Sequence, residues 1–217
     1  MNNELETQED RQKADELASV RGDIVREIGK VIVGQEKVVE LVGDWKRAQD
    51  VDAQALALAD SLGDAQGCAE AETALAEVDR KHGRFDDALQ RLARAGHAFE
   101  ALDDASGQGR VKHLAGTIAA QRGDYPAAIA HYEASLAIRE RIGDRASMGS
   151  LLSNLGIVAE YQGDYDASRA LHERALALRT EIRDRRGIGN STTNLGMIAV
   201  LQRRFADARD WFAQSMA

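Results

Sequence analysis

Five histidines, one cysteine, several paired acids and two asparagines forty positions apart are the side chains of this 217-residue chain best suited to chemistry. His82, His97, His113, His131 and His172 form neither H-x₃-H nor H-E-x-x-H. The spacing that aims two imidazoles from one helix face at an ion is therefore missing, and no metal site is expected. Cys68 stands alone, which excludes an intrachain disulfide and a paired-cysteine zinc site, and no local basic cluster activates its thiol. Ser150 and Ser153 lack the G-x-S-x-G frame of a nucleophile elbow. The acid pairs Asp86-Asp87 and Asp103-Asp104 read as helix caps and dipole partners, with no nucleophile beside them. Catalysis has no constellation here, and neither enzyme activity nor a cofactor is expected. What remains is recognition chemistry. An asparagine amide offers donors and an acceptor together, so Asn154 and Asn194 are able to hold the backbone of another chain without reading its sequence.

The elements that must position these groups are set by the same step of forty. Gly43-Asp44-Trp45, Gly83-Arg84-Phe85, Gly123-Asp124-Tyr125, Gly163-Asp164-Tyr165 and Arg203-Arg204-Phe205 recur at that interval. Small residues follow in register at Ala48, Ala88, Ala128, Ser168 and Ala208, and again at Ala55, Ala95, Ser135, Ala175 and Ser215. The pairs Leu75-Ala76, Ala115-Gly116, Leu155-Gly156 and Leu195-Gly196 form another column, and Asp64, Asp104, Asp144 and Asp184 a further one. Independent columns in one register mark a repeat architecture.

Each column has a mechanical meaning. A Gly-Asp-aromatic triplet ends one helix and starts the next, the aromatic plugging the corner between them. Small residues let helix backbones approach closely. The Asp column precedes the Leu-Gly helices, where a carboxylate accepts from the free amides of a first turn. Apolar residues between the markers recur at helical spacing, as in Leu151, Leu155 and Val158. The pattern predicts helices over 44–62, 67–81, 84–102, 107–121, 124–142, 147–161, 164–181, 187–201 and 204–216. It defines an all-α, right-handed α-solenoid of antiparallel helix pairs, with about four repeats plus an N-terminal helix.

The order Leu-Gly, then Gly-Asp-Tyr, then Ala, then Ala is similar to the tetratricopeptide repeat. The period and the string Gly143-Asp144-Arg145 … Ser153-Asn154-Leu155-Gly156 resemble the longer subclass found in kinesin light chains, GoLoco-binding polarity adaptors and bacterial regulators appended to cyclase or ATPase domains. The resemblance covers residues 43–217. Ala115 in place of Leu, and Ala76 and Arg203 in place of Gly, depart from it and are expected to weaken single corners.

The resemblance implies a concave groove lined by the first helix of each pair. Helical spacing around Leu-Gly, taken with that family geometry, turns Arg110, His113 and Thr117 inward from one repeat. The next contributes Ser153, Asn154, Ile157, Glu160 and Tyr161, and the last Thr193, Asn194, Met197 and Leu201. The earliest adds Thr73, Glu77, Arg80 and Lys81. In peptide-binding tetratricopeptide domains an Asn before Leu-Gly often grips the ligand backbone, which is the role implied for Asn154 and Asn194; bonding to a neighbouring helix is the other reading. Arg110, Arg80 and Lys81 are candidates to meet acidic ligand residues, Tyr161 and Met197 to supply apolar contact. His172 falls in the column of Tyr132 and Phe212 and is expected to pack between helices. The arginines of the C-terminal half, including Arg139, Arg145, Arg174, Arg179 and Arg186, alternate with acids and read as helix-surface pairing.

Residues 1–42 do not obey the period and are expected to form a helical extension or cap ahead of a 43–217 solenoid. Within them Val25 to Glu36 resembles the stretch before the phosphate loop of MoxR-type AAA+ ATPases, but no G-x-x-x-x-G-K-[ST] loop follows, so nucleotide hydrolysis has no machinery. A net charge of −8 argues against nucleic acid as partner. No apolar run is long enough to span a bilayer and no signal-peptide pattern opens the chain, so a cytoplasmic protein without membrane partners is expected. The expected function is non-catalytic protein or peptide binding. Trp211 and Phe212 on the last helix look uncovered, which leaves two alternatives: homo-oligomerisation through that helix, or the sensory fragment of an ATPase or cyclase.

Overall fold

The computed structural model describes residues 44–215, with side chains described from residue 50. The expected cap over 1–42 and its MoxR-like stretch lie outside these residues. Nine helices and no strand occur among the described residues: α1 (Asp44–Ser61), α2 (Ala65–Lys81), α3 (Phe85–Ala101), α4 (Ala105–Gln121), α5 (Tyr125–Ile142), α6 (Arg145–Tyr161), α7 (Tyr165–Glu181), α8 (Arg185–Leu201) and α9 (Phe205–Ser215). Each packs on its neighbours in sequence, and α2, α4, α6 and α8 additionally touch one another in series. These four inner helices share one side of the stack.

The inner helices begin two residues earlier than the sequence pattern suggests, at 65, 105, 145 and 185. The Asp column explains the shift. Asp64, Asp104, Asp144 and Asp184 are N-caps whose carboxylates accept from the amides of Gly67, Gly107, Ser147 and Gly187 at 2.9 to 3.1 Å. The capped amide is the third of the helix, so the first turn extends back to the residue after the Asp. Asp124 and Asp164 cap α5 and α7 in the same way, through Ala127 and Ala167.

Every helix from α1 to α8 ends on one corner. A residue in the left-handed region is followed by one whose amide returns to a carbonyl five residues back, as Asp64 does to Ala59 and Asp184 to Arg179, both at 2.9 Å. Glycine holds the left-handed place at most corners, but Asp103 (φ 52°), Arg183 (φ 57°) and Arg203 (φ 59°) adopt it with side chains present. Arg203, expected to weaken its corner, therefore keeps the turn and carries the steric cost of the conformation, of order 1 kcal/mol.

Within pairs, volume is matched position by position. A Cβ on Gly116 would come within 2.7 Å of the Tyr132 ring, on Gly156 within 2.8 Å of His172, and on Gly196 within 2.6 Å of Phe212. In the first pair both members change together: Ala76 stands in the glycine column and Leu92 in the ring column, and the two share one core cluster. The departure at Ala76 is thus compensated across the hairpin rather than weakening it. Phe212 is held against Gly196 and Trp211 is half-buried, so neither is uncovered as expected; the exposed aromatic of the last helix is Phe205, at 65%.

Candidate functional site

Forty-residue register places Phe99, Arg139 and Arg179 at equivalent points near the ends of the outer helices α3, α5 and α7, and all three are buried. Reading Arg139 and Arg179 as helix-surface pairing partners is therefore corrected. Their stems cross the stack where glycines clear the way. A Cβ on Gly109 would lie 2.9 Å from Arg139 Nε, one on Gly149 3.3 Å from Arg179 Nε, and one on Gly187 2.7 Å from Arg179 Cδ. Larger residues on the inner helices would block the passage.

The two guanidinium groups end differently. Arg139 Nη1 donates to Asp144 at 3.1 Å and to Ser106 Oγ at 3.2 Å. Arg179 Nη1 donates to Ser191 Oγ at 2.6 Å, Ser153 Oγ at 3.0 Å and the Gly187 carbonyl at 3.3 Å. Among the described residues no carboxylate lies within ion-pair distance of Arg179. Burial accordingly lowers the pKa of its guanidinium, with Asp184 offsetting only part.

Arg179 forms the floor of a pocket of about 360 Å³ between α6 and α8. Of the residues expected to turn inward, Ser153, Asn154, Ile157, Thr193 and Asn194 line this pocket together. Ser150, Asn190 and Arg179 line it as well, without having been placed in the groove by sequence reasoning. Ser150 and Asn190 are one helical turn before Asn154 and Asn194, so the turn spacing could have found them. Arg179 was legible only as the third member of the Phe99–Arg139 column. Three amide side chains, three hydroxyls and one buried cation face a space with no acid at its wall.

Asn154 and Asn194 are half-buried and each leans on a histidine. Asn154 Nδ2 lies 2.8 Å from His113 Nε2, and Asn194 Nδ2 lies 3.5 Å from His172 Nδ1. Burial lowers the pKa of His113, helped by Arg139 and Arg80 and opposed by Glu77. The neutral ring accepts from Asn154, leaving the Asn154 carbonyl oxygen for other partners. His172 is wholly buried, as its column suggests, and burial together with Arg179 pushes its pKa down to about 4.

Next to the polar pocket, Ile157, Tyr161, Met197 and Leu201 are exposed at 38%, 70%, 49% and 43%. They sit one turn apart on α6 and α8 and form an apolar border to it. Tyr161 also stacks on Tyr125, with ring centroids 5.9 Å apart. Other candidates have contacts within the stack. Thr117 donates to the His113 carbonyl and accepts from Tyr132, while Thr193 donates to the Gly189 carbonyl. Arg110 is exposed, its guanidinium 5.6 Å from the centre of the Phe99 ring. Glu160 is half-buried on α6, and Thr73 is buried and donates to the Ala69 carbonyl. Arg80 and Lys81 both face Glu77, at 2.6 and 3.5 Å. Those two cations are therefore already partnered within α2.

Stacked hairpins with one inner helix face and a polar groove along it define a repeat-type interaction scaffold. The chain belongs to the tetratricopeptide repeat family: the family model matches residues 107–181 and 147–217. No curated protein sequence matches. Among solved structures, BtubC (BKLC) from P. vanneervenii is similar over 94% of this chain and 85% of its own, at 21% identity and a TM-score of 0.73. A Rap protein complexed with competence and sporulation factor is similar over 84% of this chain, at 14% identity and a TM-score of 0.68; the match spans about half of that protein, 51%. A putative kinesin light chain with nearly identical repeats from Podosopora anserina is similar over 89% of this chain and 94% of its own, at 13% identity and a TM-score of 0.63. These likenesses establish the fold. No described helix is long and apolar enough to cross a membrane.

Proposed function

We propose that the chain is a non-catalytic binding module that holds an extended peptide segment of a partner protein along α6 and α8. Asn154 and Asn194 grip the peptide backbone, and the apolar border takes its side chains. The observation that carries the reading is the pairing of two equivalent amides with an exposed apolar border on adjoining inner helices. Water alone gives no reason to expose four large apolar side chains beside a polar pocket. A similar structure, a Rap protein, is complexed with competence and sporulation factor, which supports a binding role for a chain of this fold.

The double variant Asn154→Ala/Asn194→Ala tests it. Affinity for peptides selected from a displayed random library should fall at least about tenfold. Thermal stability should drop by only about 1 kcal/mol, the worth of the lost bond to His113. Unchanged affinity removes the groove assignment. A second reading, self-association, is favoured by exposed Phe205, Leu201 and Val200 around the α8–α9 corner. Light scattering across a concentration series separates the two, since a constant monomer mass excludes it.

A further inference from the structure

We infer that the edge of the stack where outer helices turn into inner ones is a self-docking surface, on which a second copy of this chain seats end for end to form a two-fold dimer. This surface is separate from the concave groove. Helices alternate in direction along the stack, so the α1–α2, α3–α4, α5–α6 and α7–α8 corners all lie on one edge. Each corner presents a large aliphatic residue at the same register position: Leu62, Leu102, Ile142 and Ile182, exposed at 49%, 42%, 42% and 36%. One exposed leucine is ordinary surface, but four in register form an apolar row along the edge.

Charge beside this row changes sign halfway along it. Each corner is taken over residues 60–66, 100–106, 140–146 and 180–186, with the capping Asp common to all four set aside. The first corner then carries Asp60 alone and the second Glu100 and Asp103, net charges of −1 and −2. The third carries Arg141 and Arg145 against Glu140, and the fourth Arg183, Arg185 and Arg186 against Glu181, net charges of +1 and +2. Arg110, further into α4, acts on Asp104 but lies outside the second corner. Most of these charges lack an opposite partner within the chain. Among the described residues Asp60, Asp103, Arg141, Arg183 and Arg185 form no ion pair, while Arg145 meets Glu181. Glu100 has His97 at 4.0 Å, an attraction that needs a protonated ring. A second copy turned end for end sets the first corner against the fourth and the second against the third, at both ends at once, with aliphatic facing aliphatic. A copy laid parallel would set like charge on like at every corner. The edge thus carries its own complement, whereas a foreign partner would have to reproduce the same charge order in reverse.

Sedimentation equilibrium on the full chain tests this. At about 0.1 M salt, repulsion between two chains of net charge −8 is screened beyond about 10 Å. The mass should then rise toward twice that of one chain between about 1 and about 100 μM. At about 1 M salt, where screening acts within about 3 Å, association should weaken at least about tenfold. Arg141→Glu/Arg185→Glu and Asp60→Arg/Glu100→Arg should each weaken self-association by a similar factor. An equimolar mixture of the two variants should regain most of it, because each reversed corner then meets the other's reversed corner. That recovery is a result that mere damage to the fold would not give. A constant monomer mass overturns the inference, and so does a mixture that fails to recover. A dimer indifferent to salt and to both reversals, yet lost in Phe205→Ser, overturns it in favour of the α8–α9 corner. Should a double variant fail to fold by circular dichroism, a parent dimer that dissociates in salt and survives Phe205→Ser supports the edge, and the opposite pair of results removes it. Peptide affinity should be unchanged in both double variants, so failure here leaves the groove reading standing.

Discussion

Two regions of the stack bury charged side chains, acids in one and an arginine in the other, and they treat the charge in opposite ways. Near the N-terminal end Glu72 and Asp79 face Arg84, Arg91 and Arg94: Arg91 bridges both acids at 2.9 and 2.7 Å, Arg94 holds Glu72 at 2.7 Å and Arg84 holds Asp79 at 2.6 Å. Burial pushes the Glu72 carboxyl up, but the hydrogen bonds and charges of Arg94 and Arg91 together outweigh it and hold the pKa below its ordinary value. Between α6 and α8, Arg179 has hydroxyls for company and its pKa moves down. The first arrangement is electrostatically closed and needs no outside group. The second is open toward the groove. A buried charge is therefore no functional signal in itself.

The largest effect should come from breaking the closed cluster. Asp79→Ala leaves Arg84 and Arg91 facing a gap and should cost about 3 kcal/mol in denaturant unfolding. Arg179→Met should cost less than about 1 kcal/mol, because it removes a charge that no carboxylate partners. Equal losses at the two sites would erase the distinction between them.

A second effect follows from the burial of His172, to which the nearby charge of Arg179 adds. The folded pKa of His172 is about 4 against an ordinary 6.5, so the unfolded chain binds the proton more readily. Stability from this group is complete above pH 6.5 and declines as pH falls toward 4, reaching a loss of about 2 kcal/mol at pH 5. His172→Phe, which copies the ring of Phe212, should abolish that decline. Comparing parent with variant cancels the opposite contribution of Asp52, whose carboxyl burial pushes up to about 6. Superimposable pH–stability curves would contradict the assignment.

The smallest expected change lies outside both regions and serves as their control. Arg203→Gly relieves a left-handed residue that bears a side chain, and should raise stability by about 0.5 kcal/mol without altering peptide affinity. A melting midpoint at or below the parent's would mean that Arg203 contributes contacts exceeding that strain.

The fold was legible because its determinants are local and repeated. Asp caps, left-handed corners and small residues opposite large ones all lie within one hairpin and return every forty positions. The inward direction of Asn154 and Asn194 could be anticipated for the same reason. What stayed hidden depends on the second partner of an interaction. Arg80 and Lys81 were expected to face a ligand, yet both meet Glu77 on their own helix. Arg179 resembled any surface arginine, because its burial depends on Gly149 and Gly187 of two other helices. Composition could not separate Arg139 from Arg179 either, since each has an Asp five positions later and only the rotamer decides which carboxylate is reached.

The matched columns of Ala76 with Leu92 and of Gly156 with His172 bear on how such a chain can be rebuilt. A whole hairpin moved to another place carries its own lock and key, so modules are interchangeable as two-helix blocks. Exchanging a single helix between blocks would set Ala76 against a ring such as Tyr132, or Gly156 against the slimmer Leu92, producing a collision in one hybrid and a hole in the other. The indivisible part of this architecture is thus the hairpin, and lengthening or shortening of the array is permitted only in whole steps.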